Sequence, residues 1–198
     1  MKLNRTPILG ALIGALTGAL SASTVYLLDV DFPGIVIFGG CIGLVTSGSC
    51  DGLKLGTYLG PGLVFGLVFG FVLRRSGRLG WAGAGGFALA SLIANGLAVM
   101  IAVNTYQFLH PLLGRAEFAA EALAGLVAGA IGGGVLGRVT AALIPGLRWY
   151  RLLAAGAGLG LLLPLALDET LGPPGLYAFY VLWQGGYAAA LATARRAA

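Results

Sequence analysis

CIGLVTSGSCDGLKLGTYLGPGLVFGLVFGFVLRRSGR, residues Cys41–Arg78, is the stretch whose reading decides the fold. It contains two apolar runs, a polar break carrying Asp51 and Lys54, and a cluster of arginines at its end. A helix needs about 20 apolar residues to cross the roughly 30 Å of bilayer hydrocarbon. The run Thr57–Leu73 approaches that length. The run Gly34–Ser47 has only 14 residues, a length typical of re-entrant or interfacial segments. The chain therefore either crosses twice here or crosses once after a dip.

The setting is lipid. Of 198 residues, 58% are hydrophobic and 10% charged, and the mean hydropathy is +0.93. A soluble domain carries roughly 25% charged residues, so too little polar surface remains to coat a globule in water. The 35 glycines fit as well, since glycine is more frequent in membrane helices than in soluble ones. The formal charge of +5 does not indicate nucleic acid. Its basic residues are scattered in twos and threes between apolar runs, not gathered on one phosphate-binding face.

Six runs read as spans: 7–28, 57–73, 79–105, 118–141, 149–167 and 175–194. Basic residues mark cytoplasmic loops, and this rule answers the opening question. With Gly34–Ser47 dipping and the N-terminus inside, Lys2, Arg5, Arg74, Arg75, Arg78, Arg138, Arg148, Arg151, Arg195 and Arg196 are all cytoplasmic, and only Lys54 and Arg115 fall outside. All seven acidic residues then lie outside. Seven crossings with the N-terminus outside would move Lys2 and Arg5 outward, a poorer split. Lys2, Arg5 and the apolar stretch Ile8–Leu16 resemble a secretory signal. The run continues through Val25–Leu28, however, and reads as a first membrane helix. The expectation is an all-α integral membrane protein in a single polytopic domain. It has six transmembrane helices, a re-entrant or interfacial segment at 34–47, both termini cytoplasmic, and a location of bacterial inner-membrane type.

Small residues recur every four positions: Gly10, Gly14 and Gly18; Gly62, Gly66 and Gly70; and Gly125, Gly129, Gly133 and Gly137. Such a stripe lets a neighbouring backbone approach closely, which is how helices associate in lipid. These glycines serve either packing within the bundle or contact with partner membrane subunits or further copies of the chain. The first helix is the candidate for docking, because Ala11, Ala15 and Ala19 form a second small stripe beside the first.

No ionisable residue lies in the middle of a span, which argues against proton-coupled antiport, voltage sensing and a lysine-linked retinal. Glu121 and Arg138 sit near span ends, where snorkelling accounts for them. Rhomboid-like proteolysis needs a GxSG serine and a helix-borne histidine. Instead "TSGSC" stands at 46–50, and His110 precedes Pro111 in an expected external loop. The single histidine rules out a multi-histidine metal site within this chain, Cys41 and Cys50 have no zinc spacing, and no cofactor motif is present. The two cysteines would lie outside, where they could form a disulfide; a buried free thiol at Cys41 reads equally well.

Neutral polar residues remain. Ser91 and Asn95 share a helix face, and Tyr180, Trp183, Gln184 and Tyr187 form another stripe. The plain reading is interhelical hydrogen bonding. The sharper one is a pocket open to the external side, with Asn95, Trp183, Gln184 and Tyr187 as ligand contacts. "LGTYLGPGLVFGLVFGF", residues 55–71, resembles the Gly/Pro-rich second-helix segments of the substrate-binding membrane subunits of energy-coupling-factor vitamin transporters. That resemblance implies six helices, a long first external loop and small-residue docking stripes, and it carries over no ligand-contacting residue. The functional expectation is a non-enzymatic small-molecule binding or transport component with a small neutral ligand. The alternative is a non-catalytic accessory subunit of a larger membrane assembly.

Overall fold

The computed structural model describes residues 7–28, 55–114 and 116–194. The expected dip at 34–47, with Cys41 and Cys50, lies outside them. Among the described residues every regular element is a helix: α1 (Pro7–Leu27), α2 (Leu55–Arg75), α3 (Trp81–Leu113), α4 (Glu117–Leu143), α5 (Trp149–Gly160), α6 (Leu163–Leu167) and α7 (Pro173–Thr193). Four of them, Pro7–Leu27, Gly56–Arg75, Trp81–Leu113 and Glu117–Leu143, are long and apolar enough to cross a membrane. α7 has the length, but its glycines, tyrosines and Gln184 dilute its hydropathy.

Two boundaries differ from the sequence reading. The expected span 149–167 is broken into α5 and α6 at Leu161 and Leu162. Pro164 explains the break, because its ring has no N–H and clashes with the carbonyl four residues back, that of Gly160. The helix expected to stop at Thr105 instead runs on to Leu113, so His110 and Pro111 are helical and not in a loop. It ends where Gly114, at φ +56°, donates its N–H to the His110 carbonyl over 3.1 Å. At the end of α2, Gly77 takes φ +72° and the Arg78 N–H reaches back to the Leu73 carbonyl. This left-handed glycine cap turns the chain directly into α3.

The helices form a closed ring in the order α1, α2, α3, α4, α5–α6, α7 and back to α1. Glycine sets the register of its seams. A Cβ added at Gly10, Gly14 and Gly18 would strike the carbonyls of Ala188, Gln184 and Tyr180 on α7 in turn. Along α4, Gly125, Gly129 and Gly133 meet the carbonyls of Gly160, Gly156 and Leu152. Along α2, Gly62 and Gly70 meet those of Ser91 and Ala84. In each pair the numbers run in opposite directions, so the neighbours are antiparallel. Both stripes assigned to packing or docking therefore lie on seams inside the ring. The α1 glycine stripe is covered by α7, while the neighbouring Ala11, Ala15 and Ala19 remain half-buried.

The packing is inverted relative to a water-soluble protein. Ile8, Leu12, Leu16 and Leu20 are each more than half exposed. They stand two positions from the glycine stripe, which is the opposite side of the helix. Leu59, Leu63, Leu67 and Phe71 expose α2 in the same way. Large apolar residues outside and glycine inside is the arrangement that lipid contact allows and water does not.

Charge divides the bundle lengthwise. Among the described residues Arg74, Arg75, Arg78, Arg138, Arg148 and Arg151 all gather at the end where α2, α4 and α7 finish, and Glu117, Glu121, Asp168 and Glu169 gather at the other. Arg74 lies 3.5 Å over the Trp81 ring and Arg138 5.2 Å from that of Trp149, pairings that tie a cation to an aromatic face. The arginine half is solid, filled by Phe65, Phe69, Phe87, Leu136, Leu152 and Tyr187. The acidic half is hollow.

Candidate functional site

The hollow half encloses a cavity of about 570 Å³. Its walls come from α2, α3, α4, α5, α6 and α7, and it opens at the acidic end. One wall is hollow because α3 presents Ala94, Ala98 and Ala102 to it, four residues apart, while Gly125, Gly129 and Gly132 keep α4 flat. The floor is aromatic. Phe65 and Trp183 reach it, and Tyr187 lies beneath, stacked on Trp183 with centroids 5.3 Å apart and planes 5° apart. Phe65 meets the Tyr187 ring edge-on at 6.1 Å. Phe179 and Tyr180 extend the apolar wall upward.

The four residues expected to contact a ligand separate into different roles. Trp183 lines the cavity. Asn95 lines it too, but its amide nitrogen is committed to α2, donating to the Thr57 carbonyl at 3.1 Å and the Tyr58 carbonyl at 2.7 Å. The cause is Pro61. Lacking an N–H, it leaves the carbonyl four residues back, Thr57, without its helical donor, and Asn95 supplies one. Ser91 acts on the same turn by donating to the Gly62 carbonyl at 2.8 Å. Tyr187 is fully buried and donates to the Gly133 carbonyl at 2.9 Å, so it packs the floor and does not line the space.

Gln184 is 2% exposed. Its Nε2 donates to Ser21 Oγ at 2.8 Å and toward the Pro61 carbonyl at 3.4 Å. A carbonyl can only accept, so this contact fixes which end of the amide is nitrogen. Its Oε1 is buried without a hydrogen-bond partner, and so is Oε1 of Gln107 nearer the mouth. Both residues line the cavity. Unpartnered acceptors at such depth are uncommon and need a reason.

At the mouth stand Glu117, Glu121 and Glu169, which the sequence reading did not place at a site. Glu117 accepts a hydrogen bond from the Tyr106 hydroxyl at 3.0 Å. Glu121 faces the cavity wall and does not snorkel to lipid. Asp168 plays a separate part. Its carboxylate takes the Thr170 hydroxyl at 2.6 Å and the Thr170 N–H at 2.8 Å. These bonds, the hydroxyl first, hold it below the usual carboxylate range, and it shapes the turn into α7. The signal for the mouth was available in part: Glu121 stands one turn into a helix, on the same face as Gly125 and Gly129.

The role of Asn95 gives a direct test. Asn95→Leu should cost about 1–3 kcal/mol, the penalty of a buried carbonyl left unpaired. In a Pro61→Ala background, where residue 61 regains its N–H, the same substitution should cost under about 1 kcal/mol. Thermal unfolding of the four proteins in detergent measures both, and equal costs in the two backgrounds would exclude this role.

Comparison with protein-family models, with curated proteins and with solved structures finds no match for this chain.

Proposed function

We propose that the chain is a multi-pass membrane protein of the cell membrane that binds a small organic molecule in the cavity of its acidic half, as the ligand-holding component of an uptake or sensing system. The observation that carries this reading is the cavity itself. Its volume of about 570 Å³ falls in the range of about 300–1,000 Å³ found for small-molecule sites. An apolar wall with a few convergent polar groups is the composition such sites share.

On this reading α1, α2, α3, α4, the broken pair α5–α6, and α7 make six crossings. The break before Pro164 and the carbonyl that Pro61 leaves without its helical donor lie against protein, where irregular backbone is tolerated at membrane depth. The arginine end is cytoplasmic and the cavity opens outside. The helix seams are occupied by the chain's own glycines, which favours a binding component over a scaffold that docks partners through those stripes.

Two measurements test the proposal. In a Cys41→Ser, Cys50→Ser background, cysteine labelling from outside intact cells should modify Glu169→Cys and leave Ser76→Cys untouched until the membrane is permeabilised; the reverse pattern would overturn the orientation. Purification from native membranes followed by mass spectrometry of the extracted contents should recover one organic compound in stoichiometric amount. A protein that carries only bulk lipid would count against a dedicated ligand site.

A further inference from the structure

We infer that the ligand of this cavity is an organic cation: a protonated amine on an apolar body, carrying a second hydrogen-bond donor. The inference rests on the binding reading above and adds the chemical class. Among the described residues, both lining side-chain atoms that are buried without a hydrogen-bond partner are acceptors. Glu117, Glu121 and Glu169 ring the mouth, and none of the described residues lining the cavity is basic. Deeper down, Gln184 holds a buried Oε1 with no donor, its own nitrogen being taken by Ser21 and Pro61. Gln107 holds a second buried, unpartnered Oε1 partway up the wall.

The three carboxylates repel an anion, and a neutral apolar ligand would leave the two amide oxygens dry and unpaired, which is costly. A cationic amine removes both costs. It meets Glu121, four residues into α4, while its apolar body lies along Ala98, Ala102 and Phe179. Gln184 stands eleven residues into α7. At about 1.5 Å per residue, its oxygen lies roughly 10 Å deeper than Glu121, which suits a donor on the far end of a small molecule. The faces of Phe65 and Trp183 tolerate positive charge at that depth. The carboxylates would also concentrate cations at the mouth from dilute solution.

The test uses three probes that differ only in the head group: 4-phenylbutylamine, 4-phenylbutanol and 4-phenylbutyrate. Binding to the full chain in nanodiscs is read by tryptophan fluorescence, with Trp183→Phe as the control that removes the floor reporter. We expect the amine to bind at least about tenfold tighter than the alcohol, the butyrate not to saturate, and Glu121→Gln to weaken the amine about tenfold while moving the alcohol less than about twofold. Added salt should weaken the amine alone. Circular dichroism and elution volume of Glu121→Gln establish that it is folded, and Glu169→Gln provides a second variant should it not be. If amine and alcohol bind equally and Glu121→Gln changes neither, the cavity binds small molecules but the cation inference is overturned. If no probe binds saturably to folded protein, the binding reading falls with it.

Discussion

Gly129→Leu is expected to abolish assembly of the bundle, whereas Gly96→Leu should leave it intact. The two glycines lie on neighbouring helices of similar composition, and they differ in what a side chain would meet. A Cβ at Gly129 runs into the Gly156 carbonyl, with the Gly156 carbonyl carbon at 2.9 Å and the Gly160 Cα at 3.1 Å. All three are backbone atoms of α5, so no rotamer change can relieve the clash. The approach is mutual, because a Cβ at Gly156 would strike the Gly129 carbonyl in return. Overpacking where side chains can yield costs about 1–3 kcal/mol. Here whole helices must part along the α4–α5 seam, and the cost should exceed the roughly 4–5 kcal/mol that marks an exceptional substitution. At Gly96 nothing lies within 4 Å, and leucine there only enlarges the apolar exterior. The measurement is the yield of monodisperse protein and its thermal unfolding in detergent. Equal behaviour of the two variants would mean that the α4–α5 contact is not close.

Val99→Trp is expected to remove ligand retention by roughly 100-fold or more while unfolding within a few degrees of the native protein. Val99 lines the cavity on α3, between Asn95 and Val103. An indole there projects into existing space, so it displaces ligand and not helix. The matched control is Leu97→Trp, two positions away on an exposed part of the same helix, which should bind normally. Mass spectrometry of the material extracted from each purified variant reports the difference. Retention by Val99→Trp would place the ligand elsewhere on the molecule.

Four long apolar helices were legible in the sequence from hydropathy and length, though not the break in 149–167 or the end of α3, and the lengthwise charge division was legible because it follows chain order. The glycine stripes were visible as stripes. Which neighbour each would meet was not, since spacing on one helix says nothing about its partner. The cavity was the least legible feature. It exists because Ala94, Ala98 and Ala102 are too small to fill the ring, and small residues read identically whether they admit a backbone or border a void. Asn95 illustrates the same limit. The spacing put it on one helix face with Ser91, but its partner is the carbonyl orphaned by Pro61, which stands 34 positions earlier in the chain. Gln184 and Tyr187 share one stripe and nearly the same burial. Only the packing reveals that tyrosine finds the Gly133 carbonyl while the glutamine oxygen finds nothing.

The 33 residues of α3 make a rod of about 50 Å, against roughly 30 Å of hydrocarbon. In the proposed orientation the two arginine–tryptophan pairs would moor the opposite end of the bundle at a headgroup layer, where indole and guanidinium prefer to sit. Length that tilt does not absorb must then overhang on the acidic side alone. The floor would then stay at constant depth while the rim, with Tyr106 and Glu117, would ride above the lipid. A thicker bilayer would draw those carboxylates down toward hydrocarbon and raise the cost of their charge, and a thinner one would lift them further into water. On the proposed reading, membrane thickness would thus become a variable that sets how readily the rim attracts a cation, without any change in the fold.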